Sequence, residues 1–236
     1  NFKSSPFILT AEQIKKACQD FTKTGEKEVR LLCKQDTRES RPNIFIDNNL
    51  FILPINNGIY AIIQGEGYVD IPPITNEVEI YQSKLSFIPD TSQIGNSEMQ
   101  HIDYAYATSL IRTFMDDPSL VLTIRGRKYT PMFSFYAGSH QIQVASVQTE
   151  VDAGYEGEES IVLIEAKSIN ASNVIIRQLF YPFKQWQMVS KKKVQTLFFE
   201  KDHKENTYLI WHFEFQDPNQ YNSIVLKRSR KYLIKS

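Results

Sequence analysis

Residues 149–168, "TEVDAGYEGEESIVLIEAKS", hold six carboxylates, and the last of them, Glu165, follows directly on the apolar run Ile161 to Ile164, with Lys167 two residues further on. An acid and a lysine placed beside a core strand have to be compensated. Like charges opposite one another destabilise a sheet, and a buried unpaired carboxylate is costly. A divalent cation answers both problems. Magnesium takes oxygen ligands, usually one or two carboxylates completed by water and phosphate oxygens. Asp152 and Glu165 fit that role, with the Ala166 carbonyl as a further oxygen. Lys167 would orient or help deprotonate a water, or neutralise charge developing on a phosphate. Together these parts describe metal-assisted hydrolysis of a phosphodiester. The plainer reading is an exposed strand face alternating acid and base. The apolar run before Glu165 and the Asp152 carboxylate upstream across a turn set this stretch apart from it.

Positioning these groups requires a hairpin. With its turn in "EGEE", Glu150 stands opposite Glu165, Asp152 lies diagonally on the same face, and Lys167 follows along it. Ahead of the hairpin, Thr10 and Gln13 read as a capping box for a helix with Ile14, Ala17, Cys18 and Phe21 on one face, ending near Gly25. Residues 43–69 read as hairpin strands, "IFIDNNLFILPI" and "IYAIIQGEGYVDI". The polar segment 89–100 marks a boundary, so residues 1–90 form an N-terminal α+β region for recognition or dimerisation and residues 91–236 a second domain. A helix capped by Ser97 runs toward Pro118, strands follow to Ser168, and a helical region over 172–189 must start late, stop early or kink at Pro182. The C-terminus returns to strands.

Bulk properties narrow the partners. The chain has 236 residues, 42% of them hydrophobic, which suffices for a real core. Its 27 basic and 27 acidic residues cancel, so any polyanion must be met by a local patch. Two cysteines, Cys18 and Cys33, make no disulfide scaffold and point to a reducing, cytoplasmic setting. No apolar run approaches the roughly 20 residues of a membrane span. The four histidines lack ligand spacing for zinc, "GEG" at 65–67 reads as a turn, and Trp186 and Trp211 as core or rim aromatics.

Three basic segments lie downstream of residue 120: "RGRKY" with Arg125, Arg127 and Lys128; "SKKK" with Lys191, Lys192 and Lys193; and "LKRSRKYLIK" with Lys227, Arg228, Arg230, Lys231 and Lys235. Each reads either as solvated surface or as a phosphate-binding patch, and Gly126 permits close backbone approach to a phosphate.

Asp152, then Glu165-Ala166-Lys167 on the next strand, resembles the D…(D/E)-x-K signature of the PD-(D/E)XK nuclease superfamily, and more narrowly that of type II restriction endonucleases. The hairpin "VDAGYE…IEAKS", the helix "IIRQLFYPFKQW" and the N-terminal "LLCKQDTRESRP…LPINNGIYAI" carry the narrower likeness. Val151 stands where the signature has proline. The resemblance implies an α/β fold of restriction endonuclease type, a central mixed sheet flanked by helices. It implies Asp152 and Glu165 as magnesium ligands, Lys167 as the catalytic lysine, Gln178 and Tyr181 in support, and Glu98 as an additional acid. The implied activity is site-specific cleavage of double-stranded DNA by a homodimer. A DNA-binding protein on the same scaffold without hydrolysis, and a nuclease acting on RNA or branched DNA, are the alternatives.

Overall fold

A computed structural model describes residues 6–167 and 171–235, the side chain of Gln93 excepted. Strand β1 (Phe7–Thr10) runs into α1 (Ala11–Ala17), where the expected capping box forms: the Thr10 hydroxyl accepts from Gln13 N, and the Gln13 side chain accepts from Thr10 N. The helix stops at Cys18, short of Gly25, and the single-turn helices α2 (Thr24–Lys27) and α3 (Val29–Leu32) follow. In place of the strand expected at "IFID", α4 (Asn43–Asp47) forms. Pro42 sets its entry at φ −59, and the Asn48 side chain closes its last turn by donating to Ile44 O at 2.9 Å. The hairpin itself is β2 (Leu50–Asn56) and β3 (Ile59–Gln64), with β1 added to β3.

Next come β4 (Tyr68–Asp70), β5 (Glu79–Gln82), α5 (Glu98–Ala107) and α6 (Leu110–Met115). Ser97 caps α5 as expected, accepting from Gln100 N. The single helix expected to reach Pro118 is split, because Ser109 takes φ 68 and turns the chain between α5 and α6. The remainder is β6 (Val121–Tyr129), β7 (Phe133–Ala137), β8 (His140–Val144), β9 (Gln148–Glu156), β10 (Ser160–Lys167), β11 (Asn173–Ile175), α7 (Arg177–Val189), β12 (Lys193–Asp202), β13 (Thr207–Phe215) and β14 (Ile224–Lys235). Ser168, the expected end of β10, lies outside the described residues. The helical region does start late, since β11 pairs with β4 before α7 begins. Pro182 lies within α7 without ending it, at the cost of the bond its missing N–H would give the Gln178 carbonyl.

Seven strands form the central mixed sheet in the order β5-β14-β13-β12-β10-β9-β6, with β10/β12 and β14/β5 parallel and the other neighbours antiparallel. Helix α7 is the crossover between β10 and β12 and covers one face; α5 and α6 cover the other. That explains the unbroken apolar run. Ile161 and Leu163 pack under α7, while Val162, Ile164 and Ala166 pack under α5 and α6. β5 lies on the N-terminal side of the boundary expected near residue 90, yet it is hydrogen-bonded into this sheet.

Candidate active site

The hairpin pairs in a register different from the expected one. Ile161 faces Glu156 and Ile164 faces Ala153, so one further step sets Asp152, not Glu150, opposite Glu165. The turn is the cause. Gly157 N donates to Ser160 O at 2.8 Å, Glu158 N donates to Ser119 Oγ at 3.0 Å, and Ser160 Oγ donates to Asp117 Oδ2 at 3.2 Å. A Cβ on Gly157 would lie 2.4 Å from Asp117 Oδ2, so any larger residue would have to displace the Asp117 side chain that grips this turn. These contacts centre the turn later than "EGEE" alone suggests.

A β-bulge then aims Asp152. From Gly154 to Val151, β9 advances three residues while its partner β6 advances two, from Ile124 to Gly126. Gly126 takes φ 76, a backbone conformation that favours glycine. Across the bulge Val151 joins the core under α7 and Ala153 the core on the opposite face. Asp152 sits at the kink, and its Oδ2 accepts from Ala166 N at 2.8 Å.

Glu165 is buried on the α7 side, and its Oε1 accepts from Lys167 Nζ at 2.5 Å and from Gln178 Nε2 at 2.7 Å. Burial pushes the Glu165 carboxyl up to about 7; Lys167 works against that shift and Asp152 adds to it. Burial likewise raises the Asp152 carboxyl, opposed by the Ala166 amide and by Lys167. For Lys167, burial is the largest single influence and disfavours its charge, but contact with Glu165 and the nearby Asp36 and Asp152 hold its pKa above the ordinary lysine value.

These groups line one cleft of about 390 Å³ together with Glu98, Glu150, Gln178 and Tyr181. Glu98 stands at the start of α5, as expected. Tyr181 spends its hydroxyl on Pro54 O at 2.9 Å and touches neither acid by hydrogen bond. Three further charged lining residues were not marked by the sequence: Lys34, Asp36 and Arg177. Asp36 lies 3.6 Å from Arg177 and 3.5 Å from Lys34. No periodicity or spacing marked the two N-terminal residues, which lie more than a hundred positions before the hairpin; the only signal was the quoted segment "LLCKQDTRESRP".

Of the basic segments, among the described residues, only Arg127 reaches a cleft acid, through Glu150. Arg125 pairs with Asp103, Arg127 with Glu150 at 3.2 Å, and Lys128 lies 5.9 Å over the Trp186 ring; none of the three lines the cleft. Lys191, Lys192 and Lys193 line a separate cavity of about 280 Å³. Lys193 is opposite Ser160 in the register and Phe198 is opposite Glu165, which puts about 17 Å of strand between the two sites. At the C-terminus Lys227 pairs with Glu214, Arg230 with Glu79 and Lys231 with Glu205. Trp211 is a core residue whose indole donates to Pro72 O at 2.8 Å.

Among the described residues no group of three or more His, Cys, Asp and Glu side chains forms a ready metal cage. Magnesium does not need one, since it is commonly held by one or two carboxylates with waters and substrate oxygens. Asp152 and Glu165 are hard oxygen donors held side by side in a cleft where burial resists their ionisation, and a divalent cation would relieve that cost. The residues present fit the ion.

The chain belongs to the family described as a domain of unknown function, DUF6997, which it matches over residues 63–233, and residues 1–62 match a second domain of unknown function, DUF6996. The division at 62/63 falls within β3, well before the boundary expected from composition. No curated protein and no solved structure matches the chain.

Proposed function

For this member of the DUF6997 family we propose magnesium-dependent, site-specific hydrolysis of phosphodiester bonds in double-stranded DNA, on a scaffold of the restriction endonuclease type. One observation carries the reading: Asp152 and Glu165 from opposing strands, with Lys167, line a single cleft, and Lys167 and Gln178 converge on the same Glu165 oxygen. The central mixed sheet with helices on both faces is compatible with that scaffold.

In this mechanism Asp152 and Glu165 would hold the ion, which when bound would lower the pKa of a water and polarise the phosphoryl oxygens. Gln178 fixes the Glu165 carboxylate, and the Ala166 amide fixes Asp152. Lys167 holds the attacking water or offsets charge on the phosphorane-like transition state. A palindromic target would be met by a two-fold symmetric dimer. Among the described residues no helix is long and apolar enough to cross a membrane. The two free cysteines, Cys18 and Cys33, suit the reducing, cytoplasmic setting proposed for the enzyme.

Supercoiled plasmid incubated with and without magnesium tests the proposal. Discrete linear fragments only with the metal are expected. A smear would point to a non-specific nuclease, cutting of RNA or branched DNA alone to those substrates, and gel retardation without cutting to a binding protein.

A further inference from the structure

The acids of the cleft raise a problem for any nuclease: Asp36, Glu98, Glu150, Asp152 and Glu165 all line it, and a polyanion must nevertheless enter. The cations lining it are Lys34, Lys167 and Arg177, and Lys167 is already engaged by Glu165. Arg125 and the "SKKK" lysines do not line it, and Arg127 meets only its edge, paired with Glu150 at 3.2 Å. Lys34 and Arg177 share one carboxylate between them, so that pair keeps a net positive charge to meet substrate phosphate. They come from the two different family segments, yet both sit against one carboxylate, Asp36, at 3.5 and 3.6 Å.

The Asp36 segment is fastened to the body of the protein. Ile175 N donates to Asp36 O at 2.8 Å, Arg38 N to Asn173 Oδ1 at 2.7 Å, and Tyr68 Oη to Gln35 O at 2.9 Å. This strap lies against β11, immediately before Arg177 and Gln178 open α7. The cation network it completes is not saturated: Arg177 Nε and Asp36 Oδ1 are both buried without a hydrogen-bond partner.

We propose that Lys34 and Arg177 form the phosphate clamp of this cleft, receiving DNA backbone oxygens beside the scissile bond, and that Asp36 is a positioning residue holding the two cations together across the segment boundary. The proposal rests on the nuclease reading and makes residues 1–62 part of the active site instead of a separate module. Lys34 carries the cleaner test, because its side chain is 65% exposed and its truncation is expected to leave the fold intact.

The experiment uses the full chain and a labelled double-stranded oligonucleotide. Anisotropy is read across a sodium chloride series without magnesium, and single-turnover cutting is read with it. Lys34→Ala and Arg177→Gln are each expected to flatten the salt dependence of binding by about one unit of slope, equally for cut and random sequences. Lys34→Arg should restore the slope. Asp36→Asn keeps both cations, so it is expected to weaken binding and cutting while leaving the slope near that of wild type. Wild-type cutting combined with an unchanged slope in Lys34→Ala overturns the clamp alone. A wild-type protein that neither binds nor cuts DNA overturns the nuclease reading, and the clamp with it.

Discussion

The two ends of β10 use the same residue types to different effect. At its N-terminal end Lys192 donates to Glu156 at 2.6 Å and to Gly157 O at 2.8 Å, and Lys193 and Lys227 flank Glu214 at 3.1 and 3.4 Å. The Glu214 carboxyl is held below its ordinary value by its hydrogen bond with Lys193. At the other end Lys167 reaches Glu165 at 2.5 Å, and the Glu165 carboxyl is nevertheless raised to about 7 by burial. Proximity to lysine is therefore not what separates a structural acid from a chemical one. The difference is solvent: near water a lysine suffices, whereas in the cleft the desolvation cost exceeds what one lysine returns, and either a proton or the proposed cation would complete the balance.

The largest test of that contrast is removal of the acids. Asp152→Ala and Glu165→Ala are each expected to lower single-turnover cutting about a thousandfold or more, since each removes a proposed ligand for the metal. Glu165→Gln should do the same to cutting while keeping or raising the melting temperature at pH 8, where the native acid is ionised against its burial. Near wild-type cutting in either alanine variant would move the site elsewhere. A sharp loss of stability in Glu165→Gln would make Glu165 a structural ion-pair partner like Glu214.

Much of this arrangement could be read from the chain and part of it could not. The strand pattern from Val121 onward, the Ser97 and Thr10 caps, and the Asp152, Glu165 and Lys167 constellation were legible, because alternation, capping chemistry and charge beside an apolar run are local signals. The register was not, since it depends on Asp117 and Ser119 gripping the turn from another element. The bulge at Asp152 was hidden for the same reason: an extra residue in β9 is defined only against β6. "IFID" read as strand by composition, but Pro42 and Asn48 supplied both ends of a helical turn. Lys34 and Asp36 reach the cleft because their segment is held by long-range hydrogen bonds, from Ile175 N to Asp36 O and from Arg38 N to Asn173 Oδ1, which no spacing announces.

A smaller effect, opposite in sign at the two ends, is the response to pH. Glu165 has a folded pKa of about 7 against an ordinary 4.5, so below the lower value it is protonated in both states and costs nothing. Its cost to stability grows as pH rises from about 4.5 to about 7 and is constant above that. Glu214, with its pKa depressed, stabilises the fold above the ordinary value and loses that contribution as pH falls through the folded one. Magnesium needs the ionised acid, so binding measured by calorimetry should be weaker at pH 6 than at pH 8 and should release protons at pH 6. Equal affinity at both values, with no proton release, would detach Glu165 from the metal.

The smallest expected effect lies at the lysine end. Lys192→Ala and Lys193→Ala each remove one partly exposed ion pair, for which about 0.2–1 kcal/mol of stability is typical. Lys192 stands to lose the more of the two, because its amine also satisfies the Gly157 carbonyl at the hairpin turn. With about 17 Å of strand between these lysines and Glu165 and their charge already matched, metal affinity should be unchanged in both variants. Binding to a short duplex separates the remaining possibilities. A duplex long enough to run past the cleft could still meet Lys191, so the comparison is made with one short and one longer oligonucleotide of the same central sequence. Loss of affinity for both lengths would mean that this end of the sheet belongs to the nucleic-acid surface despite its internal pairing, and the distinction between a paired end and a chemical end would fail. Loss confined to the longer duplex would keep the distinction and give the path of the DNA across the sheet.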